Sequence, residues 1–186
     1  MARASTGFKP RLDWRFAVAL ASFIAVGIYL LTSALTFRVG FPLDDTWIHL
    51  TYARNFAEHG QWAFRLGEKS AGSTSPLWTL LLSIGYFLNL APYVWTYFLG
   101  WLALTSLGIA AESSVRTLVE SYRPSLPWVG IFFAFAWHLT WSAVSGMETL
   151  LHGLIIFVVL VELINIRVRT VKERAHAPAE EDHPKD

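Results

Sequence analysis

Long apolar stretches separated by short polar breaks set the pattern of this chain. Residues 16–36 run uncharged for 21 positions, enough at ~1.5 Å per residue to cross a bilayer core of ~30 Å. Similar stretches follow at 93–111, 127–143 and 150–166. The stretch 77–90 is as apolar but only 14 residues long, and Pro92 bounds it. That length suits a buried, re-entrant or interfacial helix better than a span. Between the first two spans, Asp45 or Thr46 can cap a helix reaching about His59, where Gly60 stops it. Gln61–Ser70 predicts a turn or short hairpin. Ala71–Ser75 is a small-residue polar loop, and Ser75-Pro76 starts the next helix with proline at its first position. Glu112–Ser125 predicts a polar loop, and Ser145-Gly146-Met147-Glu148-Thr149 interrupts the last apolar pair. The fold expected is an all-α membrane protein of about four transmembrane helices, with juxtamembrane helices in a first outer loop at 37–92. A polar arm at 1–15 precedes this module (16–166), and a charged, disordered tail at 167–186 follows it.

Charge gives this module an orientation. Net charge is only +1, yet 11 of the 15 basic residues fall in the arm, the 112–126 loop and the tail. With four spans these three segments share one side, the cytoplasm by the positive-inside rule, and only Arg38, Arg54, Arg65 and Lys69 face outward. If 77–90 crossed as a fifth span, only the four cations of the arm would remain inside. The four-span arrangement also puts Asp44, Asp45 and Glu148 on one outer side. Both termini are then cytoplasmic. The first span is too long for a signal h-region and lacks a cleavage site, so it is expected to be retained. Cysteine is absent, which excludes a disulfide framework, a thiolate metal site and a thiol nucleophile. No phosphate-cradling glycine loop, Zn-Cys motif or Ser-His-Asp order occurs, and nothing points to nucleic acid.

Candidate chemistry gathers in the outer loop. Asp44 and Asp45 stand where a span ends, and such a pair is costly near lipid unless it lines a wet cavity. Adjacent carboxylates repel, so one can be held ready to take a proton from a hydroxyl. The alternative is an N-cap plus an acid favoured by the helix dipole. Asp45 fits the cap better, leaving Asp44 for chemistry. On a helix from residue 45, Asp45, His49 and Tyr52 share a stripe with Phe56, while Arg54 lies with Trp47 and Thr51. Arg54 can grip a phosphate or pair with Glu58. His49 is a ligand, a donor or an ordinary interfacial histidine. Ser73, Thr74 and Ser75 offer hydroxyls and free N–H groups at a helix start, a setting that can hold phosphate or merely cap, with Lys69 adding charge nearby. Glu148 completes a capping box with Ser145 or joins a site with His152. A divalent cation on Asp44, Asp45, Glu148 and His152 is conceivable, but no metal or other cofactor is expected. His138 and Glu162 are ionisable groups inside spans, with Glu162 near enough to the cytoplasmic end to snorkel. Trp95, Tyr97, Trp101, Trp128 and Trp141 suit an interface belt.

The ordered set Asp44-Asp45-Thr46-Trp47-Ile48, Tyr52-Ala53-Arg54-Asn55, Gly67-Glu68, Gly72-Ser73-Thr74-Ser75-Pro76-Leu77-Trp78-Thr79-Leu80-Leu81 and Ser145-Gly146-Met147-Glu148-Thr149 resembles the N-terminal part of GT-C-type glycosyltransferases. Closest are the bacterial arabinofuranosyltransferase-like and mannosyltransferase-like membrane enzymes. The resemblance covers roughly residues 14–166. It implies a multi-pass protein of the bacterial plasma membrane and a polyprenyl-phosphate-linked sugar as donor. It further implies Asp44 as base on an acceptor hydroxyl, supported by Asp45. Arg54 and the 73–76 loop would lie near the lipid phosphate, with His49, Tyr52, Lys69 and Glu148 as further substrate-site candidates. Members of that family carry eight or more spans and a soluble C-terminal region, so the resemblance implies a truncated product, one half of a split enzyme or a domain reused as a scaffold. The second reading is a non-catalytic subunit, surrounded by membrane lipids, whose Trp-rich spans pack against a partner membrane protein.

Overall fold

The Asp13 carboxylate accepts from the Arg15 N–H at 3.0 Å and starts α1, Trp14–Thr36. In a computed structural model, which describes residues 13–176 with side chains as far as Val171, six more helices follow. They are α2 (Asp45–His59), α3 (Pro76–Phe87), α4 (Pro92–Leu118), α5 (Trp128–Phe135), α6 (Trp137–Val144) and α7 (Thr149–His176). Among the described residues there is no strand, so 61–70 forms turns and not a hairpin. Gly60 ends α2 at φ 67°, and Pro76 and Pro92 each open a helix at the first position, where the N–H that proline lacks would have had no helical partner. Residues 1–12 of the expected 1–15 arm and residues 177–186 of the expected tail lie outside the described residues.

Three helices are long and apolar enough to cross a membrane: α1, α4 and α7 through Val171. These three helices suggest a helical membrane protein, with α3 as a shorter apolar helix. The fourth predicted span, 127–143, is not one helix. It breaks at Ala136 (ψ 112°) into two eight-residue arms. No proline or glycine marks the break. Thr140 Oγ1 donates to the freed carbonyl of Ala134 at 2.8 Å, and this internal partner lets backbone open without water. The two arms still traverse the bundle. Val129 and Gly130 lie against Glu112 near the end of α4, whereas Ala143 lies against Gly100 near its start.

Two other boundaries move. α4 continues through 112–118, where a polar loop was expected, because Glu112 is fully buried and its charge is matched. It accepts from Arg116 Nε (2.7 Å), from the backbone N–H groups of Val129 (3.0 Å) and Gly130 (3.2 Å), and from Tyr122 OH (3.4 Å). One carboxylate therefore caps α5 and ties it to α4. α7 continues to His176, into the segment expected to be disordered. Nothing from 167 to 176 breaks a helix, and the first proline is Pro178.

The core forms where α1, α4, α6 and α7 meet, around Val26, Leu104, Leu107, Val144 and Leu150. Close helix approach depends on missing side chains. A Cβ on Gly100 would collide with the Ala143 backbone carbonyl, and one on Gly108 would come within 3.2 Å of the Gly130 oxygen. Such small-residue contacts take the place of a hydrophobic driving force between helices in lipid. Gly100→Ala should therefore lower the thermal unfolding midpoint in detergent, by the equivalent of ~1–3 kcal/mol. Gly27→Ala, where an added Cβ meets nothing within 4 Å, should not. Equal midpoints for the two variants would disprove the tight α4–α6 contact.

Candidate functional site

Both α2 and α3 are held to the bundle by one turn. Ser145 closes α6, and Gly146 then takes φ 79° with Thr46 and Phe41 packed where a Cβ would be. The two carbonyls of this turn face outward. Thr46 Oγ1 donates to Ser145 O at 2.8 Å, and Trp78 Nε1 donates to Gly146 O at 2.9 Å. Two residues later, Glu148 faces His49 of α2. Glu148 is not part of a capping box, since α7 begins only at Thr149 and Ser145 Oγ instead accepts from Met147 N.

His49 is the centre of this cluster and is only 2 % exposed. Its Nε2 lies 3.4 Å from Glu148 Oε2, close enough for an ion pair but without hydrogen-bond geometry, so that buried oxygen has no hydrogen-bond donor. Its Nδ1 lies 3.2 Å from Thr79 Oγ1 and 3.4 Å from Ser73 Oγ, and those hydroxyls are 2.8 Å apart. With the proton on Nε2 toward Glu148, Nδ1 is free to accept from a hydroxyl. Burial lowers the His49 pKa below its usual 6.5, while Glu148 and Asp45 pull the other way. The order carboxylate–imidazole–hydroxyl could pass a proton, but both hydroxyls are buried. The cluster works as a latch between α2, α3 and the start of α7. Tyr52 adds a second tie, its hydroxyl bonding Ser70 Oγ and accepting from Gly72 N at 2.8 Å.

The other candidates stand apart from this latch. Asp44 and Asp45 are exposed. Asp44 takes the N-cap position expected of Asp45, with no side-chain capping bond, and Asp45 sits in the first turn. Neither carboxylate is used up by the helix. Arg54 is exposed on the far face of α2, nine residues or about 14 Å along the axis from Asp45. It makes no ion pair with Glu58 among the described residues. Thr74 and Lys69 are exposed, Ser75 is half-buried at the N-cap of α3 without a side-chain bond, and Ser73 is turned into the latch. His152 and His138 face outward, and no three metal-ligating side chains converge among the described residues. Trp95 and Trp101 are bonded within the protein, to Leu81 O and Ala19 O, where an interface belt was expected.

Sequence reasoning passed over two features of this end. Thr79 stood in the resemblance motif but was given no role, although a hydroxyl on the buried side of α3 needs a polar partner. The second is a groove. A cavity of about 600 Å³ is lined by Arg38, Gly40, Phe41 and Pro42, directly before Asp44. It shares Tyr29, Ser33 and Phe37 with an apolar cavity of about 430 Å³ between α1 and the two aromatic residues, Phe135 and Trp137, that flank the Ala136 break. Phe41, Tyr93 and Trp47 cluster beside the groove mouth, with Phe41 stacked on Tyr93 at 4.9 Å.

Comparison with protein-family models, with curated proteins and with solved structures finds no match.

Because burial favours neutral His49 in the fold, the native state takes up fewer protons than the unfolded chain below pH 6.5. This stability is present above 6.5 and is lost as pH falls through that value toward the lowered pKa. Thermal unfolding in detergent should show a midpoint that drops between about pH 7.5 and 5.5. His49→Gln should flatten that drop, and an unchanged slope in the variant would exclude His49 as its source.

Proposed function

We propose that this chain is a GT-C-type membrane glycosyltransferase module, or part of one, that uses a polyprenyl-phosphate-linked sugar. The observation that carries the reading is the exposed acid pair Asp44-Asp45, two residues beyond a groove that is apolar at one end and bears Arg38 at the other. A lipid-linked phosphate requires that combination: an apolar trough for the chain and a cation for the head. Asp44 takes the proton of an acceptor hydroxyl, whose oxygen attacks the anomeric carbon. The bond from that carbon to the phosphate oxygen breaks, polyprenyl phosphate leaves, and the configuration inverts. Asp45 supports the base electrostatically, and the latch fixes α2 so that the pair is held over the groove. Arg54, Lys69, Thr74 and Ser75 are exposed or half-exposed on the same loop and remain available to the acceptor or the phosphate.

Mass spectrometry of lipids that co-purify in mild detergent tests the donor directly, and a bound polyprenyl-phosphate sugar is the expected result. In a transfer assay with that lipid, Asp44→Asn should abolish product without reducing expression. Full activity in the variant would remove Asp44 as the base.

The proposed setting is the bacterial plasma membrane, with the α2–α3 end outside and both termini in the cytoplasm. Arg116 and Arg123 support it, since they lie at the opposite end of the bundle from His49. In this cysteine-free chain, Lys69→Cys should react with an impermeant maleimide in intact cells and Ser125→Cys should not. The reverse pattern would invert the orientation.

The second reading is a non-catalytic subunit that packs on a partner membrane protein. What favours it is α7, which is almost unburied along its apolar length. On that reading Asp44→Asn changes nothing, and a stoichiometric membrane partner replaces the lipid.

A further inference from the structure

The loop between α2 and α3 is held more firmly than a connection requires. Asn55, only 5 % exposed on α2, donates through Nδ2 to two loop carbonyls, Ala63 O at 2.8 Å and Phe64 O at 3.1 Å. Gln61 Oε1 accepts from Gly67 N at 2.8 Å and closes the loop on itself, with Gly67 at φ 83° making the return. Trp62 packs its indole on Tyr52 and Phe56 of α2, with ring centres 5.9 and 5.8 Å away. Tyr52 also fastens the far end, its hydroxyl accepting from Gly72 N. A compact loop whose shape is set by its own side chains often carries binding groups.

This loop encloses a pocket of about 320 Å³, lined by Gln61, Trp62, Gly67, Glu68 and Lys69. That volume lies in the range of small-ligand sites. Trp62 is half-buried, so its indole is a wall of the pocket as well as an anchor. The polar groups around it are unspent. Glu68 and Lys69 are exposed and form no ion pair among the described residues. The Gly67 N–H engages the amide oxygen of Gln61 and leaves the amide NH2 free, with two donors.

The rim thus offers one carboxylate, one ammonium and one amide beside an aromatic face. An anion entering it meets Glu68, and a cation meets Lys69. A neutral ring with several hydroxyls suits every group, because each hydroxyl both donates and accepts and the C–H face of a sugar lies on the electron-rich indole. A protein segment suits it poorly. No strand edge exists among the described residues to pair an extended peptide, and a pocket made within 61–69 is too short for a helix groove.

We propose that this pocket binds a neutral saccharide ring, stacked on Trp62 and hydrogen-bonded by Gln61, Glu68 and Lys69. It is separate from the acid pair. Phe56, on which Trp62 packs, is eleven residues or about 16 Å along α2 from Asp45. The inference therefore holds whether or not Asp44 and Asp45 transfer a sugar, and Asp44→Asn should leave the binding intact.

Saturation-transfer NMR on the full chain tests it, in lauryldimethylamine oxide, a detergent that carries no sugar. The probes are the methyl glycosides of glucopyranose, mannopyranose, galactopyranose and arabinofuranose, with free glycine as a zwitterion. At least one glycoside should receive saturation on its ring C–H protons, and Trp62→Ala should abolish that signal. Gln61→Glu keeps the acceptor for Gly67 N but removes the amide donors. It should weaken binding about tenfold while leaving the unfolding midpoint unchanged. Silence from all four glycosides, a signal that survives Trp62→Ala, or equal binding by Gln61→Glu would overturn the proposal. So would saturation of glycine in place of the glycosides, which would make Glu68 and Lys69 a zwitterion site.

Discussion

Two backbone carbonyls at the Ser145–Gly146 turn hold the α2–α3 half of this protein in place. α2 has a weakly apolar sequence, and α3 is too short to cross a bilayer, so neither is positioned by the membrane itself. Their positions come from Thr46 and Trp78, which donate to successive carbonyls of the one turn, and from His49 facing Glu148 just beyond it. The turn offers those carbonyls because Gly146 adopts a left-handed φ, and it offers them at that height because Ala143 seats against side-chain-free Gly100. A transmembrane contact thereby sets where a juxtamembrane helix begins, and with it where Asp44 and Asp45 stand. Loss of the Gly100 contact would move the acid pair without touching either residue.

What the sequence made legible were the features that repeat a local rule. Gly60, Pro76 and Pro92 mark helix ends through their own backbone chemistry, and apolar stretches near 20 residues mark α1, α4 and α7. The grouping of His49 with Tyr52 followed from helical spacing, since both fall on the buried side of α2. The misses were long-range. Glu112 reads as the start of a polar loop until the N–H groups of Val129 and Gly130 are seen to converge on it from 17 and 18 residues away. The break at Ala136 has no proline or glycine to announce it, because a threonine hydroxyl four residues on does the compensating. Glu148 looked like a capping residue because Ser145 stands three before it, but Ser145 instead ends the previous helix. In each case a distant partner, which no window of sequence contains, decided the role.

The ionisable groups separate by how completely their needs are met, and that separation says where chemistry can occur. Glu112 is wholly buried and receives an arginine, two backbone N–H groups and a phenol, a set that leaves it nothing to give a substrate. It is a rivet between α4 and α5. His49 and Glu148 are partly met, facing each other without a well-formed hydrogen bond, and such a pair answers to pH and to small movements of α2. Asp44 and Asp45 are unmet and exposed, at the end of a groove that could hold a lipid. Glu162 is exposed on α7 and forms no ion pair among the described residues. Satisfied groups hold the bundle together and unsatisfied ones face outward from it. The exposed acid pair can be reached by a polar partner from outside the bundle, which the buried Glu112 and His49 cannot.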